Sequence, residues 1–360
     1  MKIKKFYKLI LAIWAFALFG CKQDKQYLNP ISEDVVIENT EDNISLSGTL
    51  SLPSEKGIFP AVILISGNGE HKKDAEFGTH KPFLDISNYL TKNRIAVLRY
   101  DKRGVGQSTG DYDSANSFDF ASDVKSALDY LLTRDEINKQ QIGLIGHSEG
   151  GLIAPIVASN SSNVAFIISL AGPSLSGDKI LLSQQKAIAS SKGVSPSEIE
   201  KSQKINREAF EIVKKYRDKD TLNRKMTEYI ERISLNDPDK PENMTYEEYV
   251  DAQVNGILRP WMENFLRYEP SNIIKDVKCP VFAINGSKDL QVLASQNLPE
   301  WKRILENSGN ENITIREFPN LNHLFQNSET GLPEEYKNLD ESFSNKVMEE
   351  MSIWIKKQIK

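Results

Sequence analysis

Apolar positions along this chain follow two rhythms. In Asp34–Glu38 and Ile44–Ser51 they suit half-exposed strands, the second run alternating Ile44, Leu46, Gly48 and Leu50. Ala61–Ile65 is apolar without interruption, as in a strand covered on both faces of a parallel sheet. Further strands are predicted at Ile95–Tyr100, Ala165–Ala171, Val281–Asn285 and Thr314–Phe318, and another just before residue 146. Helices are predicted at Lys81–Lys92, Phe118–Thr133, Leu298–Asn307 and Ser344–Lys357. The second places Phe120, Val124, Leu128 and Leu131 or Leu132 on one face, and the last buries Val347, Met351, Trp354 and Ile355. Strand and helix alternate, which predicts an α/β fold with a doubly wound, mainly parallel sheet.

The rhythm changes between residues 172 and 272. Strand-type runs vanish, and the segment becomes helical, charged and irregularly spaced. Ser195-Pro196-Ser197-Glu198 and Thr245-Tyr246-Glu247-Glu248 are capping boxes, the first with Pro at the first helical position. Lys204–Lys219 and Thr221–Ile233 are predicted amphipathic helices. Because sheet pattern resumes afterwards, residues 172–272 are expected to be a helical lid inserted in one sheet domain formed by 33–171 and 273–360.

The first twenty residues stand apart. Lys2, Lys4, Lys5 and Lys8 precede an unbroken apolar run from Leu9 to Phe19, too short for a comfortable membrane span but suited to a signal peptide. Leu18-Phe19-Gly20-Cys21 then resembles a bacterial lipobox, in which Cys21 is acylated and becomes the mature N-terminus; the plainer reading is a secreted protein with a chance cysteine. A polar tether, residues 21–32, follows. The lipobox reading puts the protein in the cell envelope of a bacterium, attached to a lipid membrane through acylated Cys21. Losing the four lysines takes the formal charge from −5 to −9, which disfavours nucleic acid as a partner. It also leaves Cys279, the other of two cysteines, with no partner for an intramolecular disulfide.

Candidate chemistry centres on Gly146-His147-Ser148-Glu149-Gly150, a G-x-S-x-G stretch between an apolar strand and an apolar helical run. Such a turn strains the Ser backbone, needs glycine on both sides, and lifts Oγ above the sheet at a helix N-terminus. A Ser hydroxyl needs an adjacent base, and the base an orienting carboxylate. Of the four histidines, His147 lies inside the elbow, directed away from Oγ, while His71 and His80 follow an early strand. His323 follows the final strand and Asp289 the preceding one, both at the carboxyl edge where open α/β sheets bind ligands. Ser148, Asp289 and His323 are therefore the expected catalytic set. Oxyanion donors are expected from the backbone N–H of Glu149 and of Asn68 in Ser66-Gly67-Asn68-Gly69. Trp261 and Phe265 are candidates for an acyl pocket, with lid core as their alternative use.

Together with Arg99–Ser108, Asn285-Gly286-Ser287-Lys288-Asp289 and Leu321–Phe325, these motifs make the chain resemble bacterial α/β-hydrolases, within them the esterases of the serine-aminopeptidase-like (lysophospholipase-like) branch. The likeness covers roughly residues 35–358 and is weakest through the lid. Asn68-Gly69-Glu70 departs from the Gly-Ser-Gly-Pro-type loop frequent in that branch. The resemblance implies the α/β-hydrolase fold and hydrolysis of small-molecule carboxylic esters through an acyl-enzyme, with no metal and no cofactor. It also implies that Asp101–Ser108 scaffolds the elbow, Arg103 satisfying buried carbonyls. A peptidase on the same triad and a non-catalytic surface-binding lipoprotein are the alternatives.

Overall fold

The computed structural model describes residues 29–359 apart from 236 and 239. The expected signal peptide and Cys21 lie outside the described residues. Eight strands form one sheet: β1 Ile31–Asn39, β2 Ile44–Leu52, β3 Phe59–Ile65, β4 Ala96–Tyr100, β5 Ile137–His147, β6 Phe166–Leu170, β7 Val281–Gly286 and β8 Ile313–Phe318. Their spatial order is β1-β2-β4-β3-β5-β6-β7-β8. β1 and β2 pair antiparallel, as do β2 and β4, and every later pairing is parallel. β1 begins two residues inside the stretch expected to be tether, because Ile31 and Ser32 pair with Leu52 and Ser51.

Helices cover both faces. On one lie α2 (Ser117–Thr133), α3 (Glu149–Ser159) and α10 (Ala294–Asn307), which bury Phe120, Val124, Leu128, Leu152, Ile153, Leu298 and Trp301 against Ile63, Leu98 and Leu144. Of the two leucines left open at the end of α2, Leu131 is the buried one. On the other face, α1 (Pro82–Lys92) and α11 (Asn345–Gln358) pack Phe83, Ile86, Leu90, Val347, Met351 and Trp354 against Val62, Val97, Ile145 and Ile168. β3 through β7 are thus buried on both faces, as their unbroken apolar runs require.

Between β6 and β7 the chain makes a helical excursion: α4 Gly177–Ser191, α5 Pro196–Lys215, α6 Lys219–Ser234, α7 Tyr246–Ile257, α8 Pro260–Arg267 and the short α9 Ser271–Ile274. Both capping boxes form, on α5 and α7, with Ser195 and Thr245 accepting the N–H of Glu198 and Glu248. Ser195 opens one continuous helix to Lys215, so the helix expected from Lys204 is the second half of a longer one. The excursion has its own apolar centre, in which Phe210, Val213, Met226, Val250 and Val254 meet Leu266 of α8.

Candidate active site

β5 runs into α3 through Ser148, whose backbone stands at φ 52° and ψ −119°. A non-glycine residue holds that conformation only where its surroundings enforce it. Here they do: a Cβ at Gly146 would meet the Gly150 carbonyl oxygen at 2.0 Å, and one at Gly150 would meet that of Ile65 at 2.1 Å. Ser148 N–H donates to the Leu170 carbonyl at 2.8 Å, which ties the turn to β6.

Asp289 and His323 reach the same edge from β7 and β8. His323 Nδ1 lies 2.8 Å from Asp289 Oδ2, with both side chains almost wholly buried. A carboxylate only accepts, so Nδ1 donates and Nε2 keeps its lone pair for another proton. Asp289 is fixed in turn by its other oxygen, which accepts the N–H groups of Gln291 and Val292 at 2.8 and 2.9 Å. The His323 turn is held by Asn322, whose Oδ1 accepts from Leu324 and Gln326 N–H. Sequence order Ser, Asp, His becomes spatial order along the sheet, after β5, β7 and β8, with β6 between the first two.

Ser148 and His323 line one cavity of about 330 Å³, with Gly67 and Asn68 on its rim. Its apolar lining includes Phe77, Phe83, Pro333, Tyr336 and Phe343, with the Phe77 and Tyr336 rings edge to face, centroids 6.1 Å apart. Among the described residues no Asp or Glu lines it, and neither does any residue of the 172–272 excursion.

The candidate acyl-pocket residues stand elsewhere. Trp261 and Phe265 stack on each other, ring centroids 5.0 Å apart, and Phe265 is buried in the core under α3. The Trp261 indole N–H donates to Glu149 Oε1 at 2.7 Å. Neither ring lines the cavity at Ser148; Phe265 packs in the core, while Trp261 lines a second, more open pocket with Asn68 and Gly69. The aromatic lining comes instead from Phe77 and Phe83 before the elbow and from Tyr336 and Phe343 after His323, the latter two in a segment whose irregular pattern gives no periodic signal.

The other histidines have distinct settings. His147 Nε2 donates to the His323 carbonyl at 2.9 Å, and burial, with His323 beside it, pushes its pKa down to about 3. It is thus a neutral strut under the His323 turn. His71, also lining the cavity, contacts the Asn68 carbonyl through Nε2 at 2.9 Å; burial and the Lys102 charge lower its pKa. His80 meets Ser342 Oγ at 3.2 Å, away from the cavity lining. Burial pushes the Cys279 thiol up to about 12, which keeps it protonated and unreactive.

The turn after β4 braces the elbow in ways sequence reasoning saw only in part. Arg103 does satisfy one carbonyl, that of Asp119 at 2.7 Å, but it also pairs with Asp123 and Asp42. Asp101 accepts the N–H of Lys73 at 2.7 Å. Lys102, which no sequence pattern singles out, sends its buried ammonium to the Gly67 carbonyl at 2.9 Å and lies 3.5 Å from Glu149 Oε2. Glu149 Oε1 also accepts Ser117 Oγ at 2.7 Å. Among the described residues no group of three or more His, Cys, Asp or Glu is placed to hold a metal ion.

Comparison with known proteins points one way. The family described as alpha/beta hydrolase fold matches residues 60–328. Esterase EstD of Thermotoga maritima is 26% identical over 313 residues, 87% of this chain; the chain spans 66% of that protein's length. Among solved structures, Est1E of Butyrivibrio proteoclasticus, with ferulic acid bound, superposes with a TM-score of 0.52 at 17% identity, covering 90% of this chain and 99% of that one. GrgF of Penicillium sp. sh18 does so with a TM-score of 0.53 at 16% identity, covering 91% and 99%. At such identities the two structures speak for the fold alone.

Proposed function

The chain belongs to the α/β-hydrolase family, and on that premise we propose that it is a serine esterase of the bacterial cell envelope. Its substrates are carboxylic esters with small to medium acyl groups. The observation that carries this reading is the buried His323–Asp289 pair opening onto the cavity that holds the strained Ser148.

The chemistry follows from those positions. Ser148 Oγ attacks the ester carbonyl while His323 Nε2 takes its proton, and Asp289 stabilises the imidazolium. The carbonyl oxygen becomes an anion facing the backbone N–H groups of Asn68 and Glu149. Collapse expels the alkoxide, which takes the proton from His323 and leaves as the alcohol. Water then attacks the acyl-enzyme with His323 as base, releasing the acid and restoring Ser148. The aromatic cavity supplies an apolar seat for the acyl group.

A peptidase selecting a free amino terminus needs a carboxylate facing the bound ammonium, and the absence of Asp and Glu from the cavity lining favours the ester reading. We assign the anchor to Cys21; labelling with a radioactive fatty acid, lost in Cys21→Ala, tests it. Reaction with a fluorophosphonate probe, followed by rates on p-nitrophenyl esters of increasing chain length and on an aminoacyl-p-nitroanilide, tests the activity. No labelling at Ser148, or faster cleavage of the anilide, would sink it.

A further inference from the structure

Lys102 has a place that folding energetics alone does not explain. Its side chain is 4% exposed, and its ammonium faces Glu149 Oε2 at 3.5 Å, the Gly67 carbonyl at 2.9 Å and the Phe120 ring centroid at 3.9 Å. Burying an ammonium and a carboxylate together usually gains no stability over apolar residues of the same volume. Both contacts instead lead to the same small region. Gly67 precedes Asn68 in the loop after β3, and Glu149 follows Ser148.

The Gly67–Asn68 link is one planar peptide unit. Among the described residues no peptide bond is cis, so the Gly67 carbonyl and the Asn68 N–H point in opposite directions. A cation that holds the carbonyl on the protein side therefore aims the N–H away from itself. It also polarises the unit, strengthening the N–H as a donor by about 10–30%. The rest of the loop is tethered too: Tyr112 Oη accepts Gly69 N–H at 2.8 Å and donates to Asn68 Oδ1 at 3.1 Å.

We infer that Lys102 is the positioning residue of the oxyanion hole. Its ammonium donates to the Gly67 carbonyl, which fixes the Gly67–Asn68 peptide, and faces the Glu149 carboxylate across 3.5 Å, so that one cation stands against both segments that carry the anion-binding N–H groups. The inference rests on the reading of Asn68 and Glu149 as those donors. It distinguishes Lys102 from Asp101 and Arg103: Asp101 accepts the N–H groups of Gln107 in its own turn and of Lys73 farther along the loop after β3, and Arg103 pairs with Asp42 between β1 and β2 and with Asp123 of α2, so neither touches Gly67 or Glu149 through these bonds.

The test uses the full chain in detergent, with rates normalised to the fraction of Ser148 that a fluorophosphonate titrates. Lys102→Met should lower kcat on p-nitrophenyl butyrate by ~10–10²-fold, less than the ~10²–10³-fold of deleting an oxyanion donor. KM should move less than threefold. The affinity of an alkyl trifluoromethyl ketone, which becomes an oxyanion when Ser148 adds to it, should fall in step with kcat. Lys102→Arg, which keeps the cation and its donors, should recover most of both losses. If Lys102→Met does not fold, Lys102→Gln is read on the same quantities. Unchanged ketone affinity, a loss confined to thermal stability, or failure of both variants to fold would make Lys102 a structural residue and overturn the inference. Wild-type protein inert to the probe would instead reject the esterase reading itself.

Discussion

The indole N–H of Trp261 donates to Glu149 Oε1 at 2.7 Å, across 112 positions of sequence. That bond ties α8, the last full helix of the excursion, to the first residue after Ser148. The region expected to act as a lid is therefore latched to the elbow on this side. Trp261→Phe keeps the ring and deletes the donor, leaving the buried carboxylate with the Ser117 hydroxyl and Lys102. Loss of one hydrogen bond to a buried charged group should cost ~1–3 kcal/mol of stability. Differential scanning calorimetry would record a lower Tm, and an unchanged Tm would show the bond to be dispensable.

The catalytic assignment makes a graded prediction. Ser148→Ala or His323→Ala should lower kcat by ~10⁴–10⁶, because triad members act as a unit. Asp289→Asn should lower it by roughly 10⁴. The Asn side chain can still accept the Gln291 and Val292 N–H groups, so the variant isolates the loss of charge beside His323 Nδ1. A loss under tenfold would assign the orienting role to another carboxylate.

Acyl selectivity should answer to the cavity walls and not to the excursion. Phe77 is half-buried and lines the cavity, so Phe77→Ala should enlarge it without dismantling the core. The p-nitrophenyl ester giving the highest kcat/KM should shift to a longer chain. Trp261→Phe should leave that optimum where it is. The opposite pattern would return the acyl pocket to the excursion.

His147 sets a pH dependence of stability. Its pKa is 6.5 when unperturbed and about 3 in the fold. The folded value is depressed, so the stability gained by keeping the ring neutral is complete above pH 6.5. It is lost progressively as pH falls toward 3, where the fold must accept the proton. His71 shifts in the same direction. Tm measured between pH 7.5 and 5 should fall for the wild type, and fall less steeply for His147→Gln. Parallel slopes would contradict the assignment.

What could be read from the sequence was what is encoded locally. Gly146 and Gly150 announce the Ser148 turn because the clash they avoid is with residues fixed by that turn and by the adjacent strand. Asp289 and His323 were legible because each follows its own strand, the apolar β7 and the more exposed edge strand β8, and parallel strands bring their carboxyl ends to one edge. Trp261 and Phe265 were harder. Helical spacing says that they share a face, but not which wall of the molecule that face meets. The segment from Gln326 to Phe343 carries no such local pattern, because its order comes from scattered anchors. One is the Gln326 side chain, which donates to the Tyr336 and Glu341 carbonyls. Lys102 was invisible for the same reason, since its partners lie 35 residues before it and 47 after.

Leu170 and Val281 end and begin neighbouring parallel strands, and all the helices from α4 to α9 hang between them. None of Ser148, Asp289 or His323 belongs to that stretch. The architecture therefore works as a socket, into which another helical segment of suitable end-to-end span could be grafted while the reactive edge stays intact. The graft carries two requirements: it must again meet the carboxylate of Glu149 where Trp261 does now, and refill the core space that Phe265 and Tyr268 occupy.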